Sequence, residues 1–197
     1  IMPARSICRP SRTLSGARRG NLLPRFVAAL ALACACAAHA DDALVSRARE
    51  LEAALNGFPQ RTRSELAALL PRADAAPAGE RRHAYALYGQ AHVLTGNTAD
   101  AAELADRLAD EAATTHDPAT RATALLIRSA IESTSGDAAR STALAQEAHD
   151  LAARAGDDYL RYWAALSLGT SARMLGQPEV ALANLQEALS LAEAAGD

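Results

Sequence analysis

At 197 residues, half of them apolar, 22% charged and only 4% aromatic, the chain has room for one ordinary domain behind a short targeting segment. Its 20 basic residues are all arginine and face 23 acidic ones, and six of the arginines fall within the first 25 positions. The remaining 14 arginines against 23 acids suit neither nucleic acid nor an anionic membrane surface, and with Cys8, Cys34 and Cys36 all in the first 40 residues, the rest of the chain holds no disulfide or thiolate metal site.

Residues 1–40 read as a secretory signal peptide. Arg5, Arg9, Arg12, Arg18, Arg19 and Arg25 form a basic region without acidic residues. An apolar run of about eleven residues from Phe26 to Cys36 comes next, then the small-x-small pattern Ala38-His39-Ala40. The run is short of the ~20 residues that span a bilayer. The expectation is export to a bacterial periplasm with cleavage after Ala40; the alternative is an uncleaved anchor facing the same compartment.

Beyond the leader everything points to helix. Alanine and leucine dominate, β-branched and aromatic residues are scarce, and no stretch alternates as a half-buried strand would. Residues 41–76 are expected to form an irregular helical pair. Asp41-Asp42 can cap a helix through Leu44, Leu51 and Leu55 that stops at Asn56-Gly57. A second helix runs from about Gln60 to Leu70, with Pro71 as its stop and a loop through Gly79.

A regular array then begins. Gly96, Gly136 and Gly176 recur every 40 residues, as do His116-Asp117, Gly156-Asp157 and Gly196-Asp197. Two interleaved series of breakers with one period describe a helical hairpin used three times, over 77–116, 117–156 and 157–196. The first helices are expected at Gly79–Leu94, Pro118–Ser135 and Asp158–Leu175. The second are expected at Thr98–Thr114, Asp137–Ala155 and Pro178–Ala195, with Asn97, Asp137 and Gln177-Pro178 at their starts. The pair 41–76 lies off this grid.

In register, the third hairpin resembles a tetratricopeptide repeat. Leu168-Gly169 stand for the Leu-Gly pair of the first helix, Ala181, Leu185 and Ala188 for the small-large-small pattern of the second, and Gly176 for the turn. The first hairpin keeps Tyr85, Gly89, Gly96, Ala101 and Leu108, and the second Leu125, Gly136 and Ala148. Ala165 and Ala172 replace aromatic residues of the family, and Arg128, Ser129 and Glu132 depart from its pattern. HEAT-type repeats, at ~40–47 residues, are the other architecture near this period. The resemblance implies an all-α, right-handed alpha-solenoid. With the arginine-rich leader, the order of parts is similar to the periplasmic sensor half of bacterial diguanylate cyclases or sensor kinases, which continue into a transmembrane helix and an output domain; neither is found within these 197 residues.

No catalytic constellation emerges, so no enzyme, cofactor or metal site is expected. His83 and His92 are nine apart, unlike a chelating i, i+4 pair, and no nucleophile motif or phosphate loop occurs. The resemblance implies instead a non-catalytic interaction module whose first helices line a concave face that takes an extended peptide. The residues facing it by register are His83, Ala86, Gln90 and Val93, then Thr123, Leu126, Ala130 and Ser133, then Trp163, Leu166, Thr170 and Arg173. His83, Gln90, Thr123, Trp163, Thr170 and Arg173 are the candidate contacts, with Trp163 and Arg173 of the types that dominate binding energy, although a lone tryptophan also suits a core. The Lys and Asn residues of the family's carboxylate clamp are missing. Val180, Leu182, Leu185, Leu189 and Leu191 leave an apolar stripe on the last helix. It fits either continuation of the array or a self-contained periplasmic assembly that forms homo-oligomers through that helix. Membrane contact is expected only through the leader or a downstream segment.

Overall fold

The computed structural model describes residues 46–196; the signal-peptide reading and the Asp41-Asp42 cap lie outside them. Among the described residues there are eight helices and no strand. They are α1 (46–55), α2 (Pro59–Ala73), α3 (Ala78–Leu94), α4 (Thr98–Thr115), α5 (Pro118–Ser135), α6 (Ala138–Ala155), α7 (Asp158–Met174) and α8 (Pro178–Ala195). Among the described residues no helix is long and apolar enough to cross a membrane.

Local chemistry explains where helices start and stop. Asp117, Asp137 and Asp157 accept the backbone N–H of Ala119, Arg140 and Leu160, so each fills one of the orphan donors of a first turn. Asp137 is therefore a cap rather than the first helical residue. Asn97 and Gln177 make no such bond; Asn97 donates to the Thr95 hydroxyl instead. Glycines with positive φ end α5, α6 and α8, and at the matching end of α4 the same left-handed conformation falls to His116 at φ 55°.

The first pair departs from expectation in two ways. Helix α2 continues through Pro71 to Ala73. The ring deletes an N–H and crowds the preceding turn, but with two helical residues left the cost is confined to the frayed end. The start of α2 at Pro59 also precedes that of α4 at Thr98 by 39 residues, so the pair keeps the 40-residue spacing with a slip of one.

Successive helices from α4 to α8 pack on one another, and α5 also contacts α3 and α7. Small residues set how closely they approach. Gly89, Ser129 and Gly169 occupy one position of the 40-residue grid. A Cβ on Gly89 would lie 2.5 and 2.6 Å from Ile127 Cγ1 and Cδ1, and one on Gly169 would lie 2.8 Å from Leu185 Cγ. Ser129, one of the departures from the repeat pattern, is fully buried, and its hydroxyl reaches both the carbonyl and the hydroxyl of Ser141 at 3.0 Å. Ser141 in turn meets Ser171 at 2.9 Å, so a chain of satisfied hydroxyls replaces the glycine contact in the middle hairpin. Arg128 and Glu132 sit outside this seam, paired with Asp106 and Arg140.

One arginine spans the array. Arg82 on α3 reaches Asp117 at 3.3 Å and Asp157 at 3.0 Å, the capping carboxylates of α5 and α7. Burial alone would raise the Asp117 carboxyl, but the Thr120 hydroxyl, the Ala119 and Thr120 amides and Arg82 together outweigh it and hold it below the usual carboxylate range.

This packing sets two expected outcomes. Gly89→Ala gains about 1 kcal/mol of helix propensity but overpacks a fully buried isoleucine at a cost of about 1–3 kcal/mol. A net loss of up to about 2 kcal/mol in denaturant unfolding is expected, partly recovered by adding Ile127→Val; an increase in stability would disprove the close approach. Arg82→Met should lose about 1.5–3 kcal/mol at neutral pH, the range for charge-assisted hydrogen bonds. Because the folded Asp117 binds its proton less tightly than the unfolded chain, its contribution is complete above the unfolded value of about 3.9 and disappears as pH falls through the folded value. The gap between the thermal unfolding curves of Arg82→Met and the parent should therefore narrow as pH drops below about 4.

Candidate functional site

The face made by α3, α5 and α7 is hollowed into a groove of about 920 Å³, flanked by α1 on one side and by Leu191, Ala192 and Ala195 of α8 on the other. Its lining mixes apolar side chains such as Val93 and Leu166 with hydroxyls and amides such as Ser133, Thr170 and Gln90.

Four of the six residues singled out from the sequence, His83, Gln90, Trp163 and Thr170, line this groove, as do Val93, Ala130, Ser133 and Leu166. Ala86 and Leu126 lie in a small recess shared with Gln90 and Trp163. Thr123 does not reach the groove: it is fully buried, and its hydroxyl turns back to the Ala119 carbonyl at 3.0 Å. The reason is its place on the middle helix. His83 of α3 and Tyr159 of α7 stack at 3.8 Å between ring centroids, and Arg82 of α3 bridges to Asp157, so the two outer helices meet over the first half of α5. Arg173, exposed in the last turn of α7, is not part of the lining.

Two groups of lining residues are not reached by register alone. The first is Tyr159 and Tyr162, which join the register-predicted Trp163 with ring centroids 6.1–6.4 Å apart. Their i, i+3, i+4 spacing is the signal that could have found them. The second is Arg49 and Glu52 of α1, which carry no signal because that pair reads as lying off the grid. Glu52 accepts from His83 Nε2 at 3.1 Å and thereby ties α1 to α3.

Trp163 belongs to core and groove at once. It is half-buried, packs against the clusters around Leu87 and around Leu160, and still lines the groove. The hydroxyl of Tyr159 and the indole N–H of Trp163 are buried and make no hydrogen bond within the protein. Burial, reinforced by the Glu52 charge, pushes the Tyr159 phenol well above its usual range, and the Trp163 N–H opposes this without completing a bond. The phenol is thus neutral at physiological pH and can both donate and accept. His92, by contrast, is almost fully buried, edge-on to Tyr88 at 4.4 Å, and burial lowers its pKa. It is a packing residue removed from the groove lining.

Among the described residues no three His, Cys, Asp or Glu side chains gather as metal ligands. Compared with protein-family models, curated proteins and solved structures, the chain matches none of them.

A second surface feature lies on α8. Val180, Leu182, Leu185 and Leu189 are 42–59% exposed. At the grid positions of Leu185 in the two preceding hairpins stand Ala105 and Ala145, both fully buried.

Proposed function

We propose that the chain is a right-handed helical-repeat scaffold of the tetratricopeptide kind, without catalysis of its own, that binds an extended segment of a partner protein along the α3–α5–α7 face. The observation that carries this reading is the groove itself. It offers apolar walls for side chains and, on its floor, buried polar atoms whose hydrogen-bonding capacity the protein leaves unused. An extended peptide brings unpaired backbone N–H and C=O groups at regular intervals, which is what such a floor can satisfy. The 40-residue succession of helices and the small residues at positions 89, 129 and 169 support the repeat assignment. On the leader pattern and the order of parts we place the scaffold outside the cytoplasm, as the sensory portion of a signalling protein.

Panning short random peptides against the full chain tests the groove. Thr170→Arg and Ala130→Arg, which project a long side chain into it, should weaken recovered peptides by about tenfold or more, the scale of one lost hot spot. Arg173→Ala, outside the lining, should leave affinity unchanged. Peptides that bind the blocked variants as well as the parent would place the site elsewhere.

The leucine face of α8 favours a second reading, self-association into an assembly. Sedimentation then distinguishes parent from Leu182→Glu/Leu189→Glu, the two most exposed leucines of α8: a concentration-dependent dimer that the double variant reduces to monomer supports it, and a parent that stays monomeric at high micromolar concentration excludes it.

A further inference from the structure

One corner of the groove has a chemistry of its own. The first two turns of α7 contribute Asp158, Tyr159, Tyr162 and Trp163, α3 contributes His83, and α1 contributes Glu52. Three aromatic rings stand together on one side of it, with interplanar angles of 71° and 78° for the two pairs that include Trp163. Glu52 acts on Tyr159 as a nearby negative charge while it holds His83. Asp158 keeps its carboxylate 70% exposed beside Arg161. The buried Tyr159 oxygen has no partner.

We propose that this corner receives a cationic side chain, arginine or lysine, of the bound segment. The inference rests on the peptide-groove reading and names what one end of that groove selects. Tyr159 oxygen accepts from the guanidinium or ammonium N–H, the rings of Tyr162 and Trp163 present their electron-rich faces, and Glu52 and Asp158 supply the compensating charge. The Trp163 N–H, which can only donate, takes a backbone carbonyl of the same segment.

Charge decides between the alternatives. An anionic side chain would face Glu52 and Asp158, with Arg49 in the lining and Arg161, already shared between Asp158 and Glu187, to offset them. An apolar side chain would leave the phenol oxygen buried and unpaired, a loss that buried polar atoms make expensive. A cation satisfies the oxygen, the rings and the carboxylates together. The wider surface agrees: the described residues hold 14 arginines against 20 acidic residues, the 23 of the whole chain less Asp41, Asp42 and Asp197. Long-range steering therefore favours a basic segment.

Trp163 is the chain's single tryptophan, so its fluorescence reports on this corner directly. The full chain is titrated with three blocked tetrapeptides Leu-Xaa-Leu-Ser in which Xaa is arginine, norleucine or glutamate. The arginine peptide should bind about tenfold more tightly than norleucine, with glutamate weakest. Glu52→Gln and, independently, Tyr162→Leu should each erase most of that preference while far-UV circular dichroism stays unchanged. Equal affinity for arginine and norleucine would overturn the cationic pocket and leave the peptide groove standing. Absence of binding by all three to a folded chain would overturn both.

Discussion

Arg82 is the contact on which the shape of the groove depends. It extends from α3 to the capping carboxylates of both α5 and α7, so one side chain couples the starts of three hairpins. Each aspartate serves twice, accepting a backbone N–H of its own helix and the guanidinium of another. With the side chain of Arg82 15% exposed, water screens these pairs weakly, while enough access remains to avoid the full penalty of burying charge. The geometric consequence is that α3 and α7 close toward each other at one end. His83 then stacks on Tyr159, the first half of α5 is sealed, and the hollow opens toward the second halves of the helices.

That closure needs thin helices. Gly89 and Gly169 admit a neighbouring side chain where a Cβ would collide, and the middle hairpin solves the same problem differently. A buried serine costs more to desolvate than a glycine, but Ser129, Ser141 and Ser171 satisfy one another across α5, α6 and α7. Such a hydroxyl chain fixes register more strictly than methyl contacts, because sliding α5 against α6 leaves buried oxygens unpaired. The same neighbours explain how a hairpin with the weakest repeat pattern still holds the best-connected helix: α5 touches α3, α4, α6 and α7.

How much of this is legible in the sequence depends on how local each signal is. Helix ends are readable because capping aspartates, first-turn prolines and left-handed glycines act within a few residues. Expected and observed bounds in the three hairpins agree to within one or two residues, for example Gly79–Leu94 against Ala78–Leu94. The all-helical character is already present in the composition. Curvature, in contrast, is set by long-range contacts that no spacing encodes. By register, positions 83, 123 and 163 are equivalent, whereas Thr123 has a covered helix on each side and His83 and Trp163 do not. Arg173, exposed in the last turn of α7, is absent from the lining although its grid equivalents Val93 and Ser133 belong to it. The contribution of α1 stays invisible because the one-residue slip before α4 hides its relation to the grid.

Trp163 shows why the groove is more than a by-product of curvature. A position that required bulk alone would be filled as well by leucine or phenylalanine, neither of which carries an N–H to bury. Here an indole and a phenol are set one turn apart, each with its polar atom buried and without a hydrogen bond of ordinary geometry. Ser129 and Ser141 also line the hollow, yet their hydroxyls find partners, and Thr123, outside the lining, satisfies its own against α5. The Tyr159 and Trp163 atoms belong to side chains that line the same hollow and find no such partner. His92 Nδ1 and Arg161 Nε are also buried without a hydrogen-bond partner away from the lining, so what sets Tyr159 and Trp163 apart is that their unpaired atoms share the hollow, where the proposed segment would complete them.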